Sequence, residues 1–273
     1  MGILYIVPTP IGNLEDITLR ALRILKEVSL IAAEDTRTSR VLTNHFEIHT
    51  PMTSYHEHNK LSKLDQIYDA LSMGDVALIS DAGTPGISDP GYELIQGAIE
   101  QGITVVPLPG ANAVTTALVA SGLPTDEFLY VGFLPRKTKA LKDRLTILST
   151  RTETMIAYES PYRLTDTLAA IMEVMGVGHQ VCVAREVTKK FEEFFRGTAQ
   201  EAHDHFTAEN PRGEITLLIA GAIPSDETWT ESQIRDELQT RIADGESLSR
   251  ASKAIAKLSG WRKGDIYSLG IKE

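Results

Sequence analysis

The chain has 273 residues, of which 42% are hydrophobic and 23% are charged, and its formal net charge is -10. This composition is typical of a globular protein with one large or two medium-sized domains, and it excludes disorder over most of the length. The acidic balance argues against a protein that coats nucleic acid non-specifically, so we expect no DNA partner.

The apolar runs and the cysteine content predict the compartment. No apolar run approaches the roughly 18 residues that a membrane-spanning helix needs. Residues 1–8 lack a basic region ahead of their short apolar run, which favours a first strand over a signal peptide. The single cysteine, Cys182, lies in an apolar run typical of a buried strand and cannot form an internal disulfide. We therefore expect a cytoplasmic protein that does not enter a membrane.

In the first half of the chain, short apolar runs alternate with helical patterns, which is the signature of an α/β fold. The predicted elements are strands at 3–7, 30–33, 76–79 and 103–107, and helices at 19–28, 61–74, 92–101 and directly after 109–113. Loops at the carboxyl ends of such strands are where α/β sheets bind ligands.

The segment 76–91 is the most informative of these, because a short apolar run leads into a loop of turn formers stiffened by Pro85 and Pro90. The loop carries Asp81 and Asp89 and no Lys or Arg, and the chain has neither Gly-x-Gly-x-x-Gly nor Gly-Lys-Ser/Thr. Two carboxylates argue against a bound phosphate and favour a cationic ligand such as S-adenosylmethionine. The alternative is a surface turn without a ligand.

Residues 122–126 break the pattern and predict a hinge between two domains. Beyond them the alternation resumes, with strands predicted at 128–133, 155–158, 181–185, 191–195 and 214–220 and helices at 139–149 and 162–175. From about residue 225 the chain becomes a polar helical tail. The expected domains are therefore 1–121 and 122–224, both α/β, followed by a helical tail at 225–273.

Basic side chains cluster at two places, although the chain as a whole is acidic. The first cluster is Arg136, Lys137, Lys139, Lys142 and Arg144, and the second is Arg250, Lys253, Lys257, Arg262 and Lys263. Each cluster is either an ordinary solvated face or a local patch that binds nucleic acid.

Several short motifs, taken together, resemble the ribosomal RNA small subunit methyltransferase I proteins, the RNA-acting branch of the tetrapyrrole methylase superfamily. In chain order they lie at 8–14, 34–37, 55–59, 80–91, 108–113, 159–163, 185–189 and 212–214. The resemblance implies a tetrapyrrole-methylase fold with S-adenosylmethionine in the cleft between two α/β domains, and usually a homodimer. Relatives that methylate tetrapyrroles have a glycine-rich first loop, and residues 10–13 depart from that pattern.

The implied reaction is 2′-O-methylation of a cytidine ribose in the decoding region of 16S ribosomal RNA, with the RNA or the small ribosomal subunit as partner. Two alternatives stay open. One is a C-methyltransferase acting on a tetrapyrrole such as uroporphyrinogen or a precorrin, and the other is a non-catalytic ribosome assembly factor. The motifs at 34–37 and 159–163 and the basic clusters favour RNA.

Carried over position by position, the resemblance implies a cofactor site built from loops of both halves. Its expected members are Pro10, Ile11, Asp81, Gly83, Thr84, Ile87, Asn112 and Ala113, then Tyr158 or Glu159, Arg185 or Glu186, and Gly213 with Glu214.

Methyl transfer from a sulfonium is a direct displacement, so the main task of the enzyme is to align oxygen, carbon and sulfur. A ribose hydroxyl is a weak acid, and a carboxylate or imidazole within about 3 Å would help by taking its proton. The candidates are Asp35, His56 and Glu159. Arg37 and Arg185 could neutralise an RNA phosphate or orient a carboxylate.

Two structural explanations compete with these roles. Residues 34–37 could be a helix cap followed by a local ion pair. His56 and His58 flank Glu57, but no further His or Cys follows at ligand spacing, so no metal site is predicted.

Overall fold

The computed structural model describes residues 2–209, 211–222, 229–243, 245–259 and 261–271. The chain divides into two compact units, Met1–Gly221 and Ala222–Glu273. The predicted boundary at 224/225 lies outside the described residues. Among those residues there is no helix with both the length and the apolar character that a bilayer crossing requires.

The first part of the first unit is a sheet of five parallel strands with order β3-β2-β4-β1-β5. Its strands are β1 Leu4–Ile6, β2 Leu30–Ala33, β3 Met52–Ser54, β4 Val76–Ile79 and β5 Val105–Pro107. The central strand β4 is buried along its whole length, which explains its unbroken apolar sequence. Helices in this part of the chain are α1 Leu19–Glu27, α2 Thr36–His45, α3 Lys60–Met73, α4 Tyr92–Glu100 and α5 Ala113–Ser121.

The second part of the first unit is a mixed sheet with order β6-β7-β10-β8-β9, in which only the β6/β7 pair is parallel. Its strands are β6 Phe128–Phe133, β7 Thr154–Glu159, β8 Gln180–Arg185, β9 Glu193–Thr198 and β10 Ile215–Ile219. The helices that accompany it are α6 Thr138–Leu148, α7 Leu164–Met175 and α8 Ala199–Glu209.

The helix α5 joins the two halves of the first unit. Val114, Ala117 and Leu118 of α5 share one buried apolar cluster with strand residues of the second sheet, including Cys182 and Leu218. The loop after β1 also contributes to this cluster through Ile11. The division of this unit into 1–121 and 122–224 stays a prediction, and the last helix of the first segment packs on the sheet of the second.

Three elements differ from the sequence prediction. No strand was expected at β3 and no helix at α8, and the strand expected at 191–195 lies at Glu193–Thr198. Phe191 is therefore outside the strand and exposed. The helix α8 buries Ala199, Ala202 and Phe206 at helical spacing, and the two alanines give a weak apolar signal.

The second unit consists of the helices α9 Glu231–Ala243, α10 Leu248–Ser259 and α11 Lys263–Ile271. Their small core contains Ile234, Leu238, Ala251, Ile255 and Ile266. The predicted helical tail is confirmed. The side chain of Lys257, from the second basic cluster, lies outside the described residues.

The packing of α5 gives a stability prediction. Leu118 is 3% exposed within the shared cluster, whereas its neighbour Val119 is 77% exposed. We expect Leu118→Ala to lower the free energy of unfolding by about 2 to 5 kcal/mol, because it leaves a cavity. Val119→Ala is the matched control and should change it by about 0.5 kcal/mol or less. Urea denaturation measures both, and equal effects would show that α5 does not join the halves.

Candidate active site

The site begins with three loops at the carboxyl edge of the first sheet, which follow β1, β4 and β5. The backbone N–H groups of Thr9 and Gly83 each donate to the carbonyl of the other at 2.9 Å, which ties the first loop to the loop after β4. Thr84 Oγ1 donates to the Ala111 carbonyl at 3.2 Å and ties in the third loop. The loops therefore form one continuous floor rather than independent segments.

A cavity of about 380 Å³ lies between this floor and the second sheet. That volume is within the usual range of small-molecule sites, about 300 to 1,000 Å³. The first half lines it with Ile11, Ala82, Gly83, Thr84, Ile87, Asp89, Asn112 and Ala113, and the second half with Phe133, Tyr158, Glu159, Ser160, Pro161, Val187, Gly213, Glu214, Ile215 and Thr216. We call this cavity the cleft.

Aromatic rings of the second sheet form one wall of the cleft. The ring centroids of Tyr158 and Phe133 are 5.7 Å apart, and those of Tyr158 and Tyr130 are 5.3 Å apart, in edge-to-face geometry. The hydroxyls of Ser88 and Tyr130 are hydrogen-bonded at 2.5 Å, so the loop after β4 reaches across to this wall. Burial raises the pKa of both tyrosines above the ordinary value.

A second contact closes the cleft from the side of the second sheet. The N–H of Glu214 donates to Glu186 Oε1 at 2.9 Å, and the N–H of Glu186 donates to the Glu214 carbonyl at 2.9 Å. Lys189 Nζ is 2.8 Å from Glu186 Oε1 and 3.0 Å from Glu214 Oε2. Burial opposes ionisation of Glu186, but Lys189 and the Glu214 N–H outweigh it and hold the pKa of that carboxyl below the ordinary value.

A second, more open pocket of about 470 Å³ lies at the same sheet edge, beyond strands β2, β3 and β4. Its lining is polar and consists of Glu34, Asp35, Thr36, Arg37, Ser54, His56, His58 and Asp81. We call it the outer pocket. The N–H of Asp81 donates to Glu34 Oε2 at 3.2 Å, and Asp81 Oδ1 accepts from the N–H of Asp35 at 3.0 Å. Burial raises the pKa of the Glu34 and Asp81 carboxyls.

Asp35 caps helix α2 and forms an ion pair with Arg37. This is the structural alternative to a catalytic role that the sequence left open. Asp35 Oδ1 accepts from the Arg37 N–H at 2.8 Å at the start of α2, and Arg37 Nη2 is 2.6 Å from Asp35 Oδ2. Hydrogen bonds from the Arg37 side chain and backbone lower the pKa of Asp35 to about 2. A carboxylate with so low a pKa is a weak proton acceptor.

His56 is held at the outer pocket by its backbone, whose N–H donates to Asn59 Oδ1 at 2.8 Å. Its Nδ1 atom is buried and has no hydrogen-bond partner among the described residues. Those residues also contain no group of three or more His, Cys, Asp or Glu side chains placed to hold a metal ion.

Glu159 lies at the cleft, but its carboxylate is engaged with its own surroundings. The side chain has 0% exposure, and Arg163 Nη1 lies 3.4 Å from its Oε1 atom. Oε1 also accepts from the Ser160 N–H at 2.7 Å, and Oε2 accepts from Thr167 Oγ1 at 2.7 Å. These bonds fix the end of β7 to the start of α7, which is a structural role.

The structure brings most of the expected cofactor residues together. Ile11, Gly83, Thr84, Ile87, Asn112, Ala113, Tyr158, Gly213 and Glu214 line the cleft, as does the catalytic candidate Glu159. Asp35, Arg37 and His56, the other catalytic candidates, line the outer pocket, and Asp81 lies there with them.

Three expected residues line neither pocket. They are Pro10, Glu186 and Arg185, whose Nε donates to Glu193 Oε2 at 2.8 Å.

Several residues that line the cleft were not among the expected site residues, chiefly Phe133 and Asp89, which had been noted only for its charge. Burial raises the pKa of Asp89 to about 7. Its position in the same loop as Asp81 was the available signal, but the spacing did not distinguish the carboxylate that faces the cleft from the one that faces the outer pocket.

The comparisons with known proteins agree with this architecture. Residues 3–203 match the family model described as Tetrapyrrole (Corrin/Porphyrin) Methylases. The crystal structure of uroporphyrin-III C-methyltransferase from Thermus thermophilus complexed with S-adenyl homocysteine shares the fold, with a TM-score of 0.57, 17% identity, and coverage of 80% of this chain and 97% of that one. The fold and the cleft thus define a methylase of the tetrapyrrole methylase class.

Closer relatives specify the branch. The ribosomal RNA small subunit methyltransferase I of Halalkalibacterium halodurans is 48% identical over 100% of this chain and 96% of its own length. The protein of the same name from Synechocystis is 46% identical over 100% of this chain and 98% of its own length. The chain belongs to the family of ribosomal RNA small subunit methyltransferase I proteins.

Membership in this family confirms the predicted fold, family and enzyme class, an S-adenosylmethionine-dependent methyltransferase. Residues of the Asp81 to Gly91 loop line the cleft, so the loop is not an isolated surface turn. Its role in binding the donor stays a prediction.

The closing contact gives a prediction at Gly213. This residue has φ +89°, and a Cβ there would lie 2.3 Å from Glu186 Cδ. Gly213→Ala should therefore break the Glu186 contact, destabilise the fold by about 1 to 2 kcal/mol through backbone strain, and weaken S-adenosylmethionine binding. Thermal unfolding and calorimetric titration measure the two effects. Gly178→Ala is the control, because a Cβ at that position meets no atom within 4 Å; equal binding by both variants would contradict the role of the contact.

Proposed function

We propose that the protein transfers the methyl group of S-adenosylmethionine to the 2′-hydroxyl of a cytidine in the decoding region of small-subunit (16S) ribosomal RNA. The observation that carries the proposal is the pairing of a partly closed cleft with an open polar pocket at one sheet edge. The relatives named ribosomal RNA small subunit methyltransferase I, which match along the whole chain, support the RNA substrate.

The cleft suits the donor. Its apolar lining residues and the rings of Tyr158 and Phe133 offer surface for an adenine base. Asp89 and Glu214 place negative charge at the cleft, which favours the sulfonium and ammonium groups of the donor. Asn112 is partly engaged as the cap of α5, where its Oδ1 accepts from the Val114 N–H at 3.0 Å.

The outer pocket suits the nucleotide. The Arg37 side chain is 86% exposed while it is paired with Asp35, so it presents fixed positive charge to solvent and can meet a phosphate. Glu34 and Asp81 offer carboxylate oxygens, which can accept a hydrogen bond from the amino group of cytosine. His56 adds a ring nitrogen that has no partner among the described residues.

The proposal includes two further features. A ribosomal RNA substrate places the reaction in the cytoplasm, on 16S rRNA or the assembled small subunit. We also propose a homodimer as the working form, on the basis of the family resemblance, and sedimentation velocity of the full chain would show it as twice the monomer mass.

A tetrapyrrole substrate fits the charges less well. Uroporphyrinogen is a flat polyanion, and it would meet Glu34, Asp81, Asp89 and Glu214 at the two pockets. The decisive experiment incubates the protein with labelled S-adenosylmethionine and either small ribosomal subunits or uroporphyrinogen. We expect label only in the RNA, on a cytidine 2′-oxygen, and label only in the tetrapyrrole would reject the proposal. Absence of S-adenosylmethionine binding in calorimetry would instead support a non-catalytic assembly factor.

The first basic cluster gives a separate prediction about RNA docking. Arg136, Lys137 and Lys139 are exposed at the start of α6, whereas Lys142 is paired with Glu173 at 2.6 Å. Lys137→Glu combined with Lys139→Glu should weaken binding to small subunits and reduce the slope of log affinity against log salt by about 1 to 2. Calorimetry should show unchanged affinity for S-adenosylmethionine.

The matched control for this experiment is Arg20→Glu combined with Lys26→Glu on α1, which changes the net charge equally at another exposed face. An equal loss of subunit binding in the two double variants would show a general charge effect and no docking at α6.

A further inference from the structure

A ribose hydroxyl needs a proton acceptor, and the candidates seen in the sequence fit that role poorly. The Asp35 carboxylate is paired with Arg37 and has a pKa of about 2. Both oxygens of Glu159 accept hydrogen bonds from its own neighbours. His56 lies in the outer pocket and does not line the cleft where the methyl donor is expected.

Asp89 lines the cleft together with two other carboxylates, Glu159, whose oxygens are engaged, and Glu214, whose Oε2 is paired with Lys189 Nζ at 3.0 Å. The residue before it, Ser88, has φ +62°, a left-handed conformation that is uncommon outside glycine. The Ser88 hydroxyl is bonded to the Tyr130 hydroxyl across the cleft at 2.5 Å. An unusual backbone angle held by a contact on the opposite wall fixes where the backbone of the next residue lies.

The surroundings of Asp89 place it at the junction of the two pockets. Its carboxyl is subject to the charges of Glu34 and Asp81, which line the outer pocket, and of Glu214, which lines the cleft. When the base and phosphate of the target nucleotide occupy the outer pocket and its 2′-oxygen faces the donor, the ribose lies at this junction.

We propose that Asp89 is the general base that accepts the proton of the target 2′-hydroxyl; this inference rests on the proposed function. As the ribose oxygen forms its bond to the methyl carbon, the carbon–sulfur bond breaks and its electron pair stays on sulfur. The 2′-hydroxyl proton moves to Asp89. The products are the 2′-O-methyl ribose, the neutral thioether S-adenosylhomocysteine, and a protonated carboxyl that later releases its proton to water.

The electrostatics of the site suit this role. Burial raises the pKa of Asp89 to about 7, with further contributions from the charges of Glu34, Asp81 and Glu214, while a hydrogen bond with Ser80 opposes the shift. Tyr130 and Tyr158 also face the group, and the pKa of each is raised, so both are neutral at physiological pH. A base whose pKa lies near the working pH is a stronger proton acceptor than an ordinary carboxylate. The sulfonium of the bound donor favours the ionised form before transfer.

The test is Asp89→Asn, which preserves size and one acceptor oxygen but removes the basic oxygen. We expect kcat for methylation of small subunits to fall about 100-fold or more. The KM for subunits should change little, and the dissociation constant for S-adenosylmethionine should rise by a smaller factor than kcat falls. Asp69→Asn, at an exposed position on α3, is the matched control and should behave as the wild type.

The pH profile separates a base from a residue that only positions others. For the wild type, kcat/KM at saturating donor should rise with pH and level off at or below about pH 7, as Asp89 ionises. Asp89→Asn should lose this acidic limb. A wild-type rate without the limb, or a variant that retains both the rate and the limb, would overturn the inference.

The raised pKa of Asp89 also predicts how the stability of Asp89→Asn should differ from that of the wild type, and this comparison shows whether the variant folds. Because the folded-state pKa of Asp89 is raised from 3.8 to about 7, the native state holds the proton more tightly than the unfolded state. The wild type should therefore lose stability relative to Asp89→Asn as the pH rises from about 4 to 7, so the variant should unfold at a higher temperature at pH 8.

A variant that loses only donor affinity, with normal kcat, would show that Asp89 binds the sulfonium and is not the base.

Failure of the inference and failure of the proposed function are distinguishable. If the wild-type protein does not methylate the ribose of small-subunit RNA, the proposed function fails. If it does so and Asp89→Asn is equally active, only the role of Asp89 fails.

Discussion

The pair of backbone hydrogen bonds between Thr9 and Gly83 is the constraint on which the site depends. The residues belong to loops far apart in the sequence, and the bonds join them side by side at the edge of the first sheet. The backbone groups of Gly83 are engaged in this pairing, and the loop contributes the carboxylate of Asp89 to the cleft and that of Asp81 to the outer pocket. That explains why an α/β sheet edge, which in other folds cradles phosphate, here suits a cation.

The second half of the protein is positioned by apolar packing and by a few polar contacts across the cleft. Helix α5 leaves the first sheet and packs with the inner residues of the second, so the two walls share a core. Arg196 on β9 adds hydrogen bonds from Nε and Nη2 to the Ala120 carbonyl at 2.9 and 2.6 Å, near the end of α5. The Ser88 to Tyr130 contact then fixes the loop after β4 against the opposite wall. The width of the cleft is thus set at several independent points.

Most of the fold could be predicted because its signals are local. Buried strands such as β4 read as apolar runs, and the loops after them contain proline and glycine at positions that the backbone requires. The strand β3 has only three residues, and α8 buries small alanines, so neither gave a clear pattern. The register of β9 depends on pairing with β8, which aligns Arg185 with Glu193 and accounts for an ion pair that sequence spacing does not show.

The candidate site was less predictable than the fold because its chemistry depends on burial and on distant residues. The sequence shows Asp35, Asp81, Asp89 and Glu159 as equivalent carboxylates. In the structure one is neutralised by an arginine, and one is enclosed in a hydrogen-bond network. Asp89 has a raised pKa because it is partly buried and lies near Asp81 of its own loop and Glu34 and Glu214 of two other segments. Family resemblance pointed to loops that the structure brings to one sheet edge, but only the folded arrangement separates these environments.

All the residues that line the cleft and the outer pocket belong to Met1–Gly221, while the three carboxy-terminal helices have a core of their own. The residues of the two pockets and those of the helical core are therefore encoded in separate stretches of sequence. Such modularity lets the helical unit diverge in sequence without altering the residues that line the two pockets.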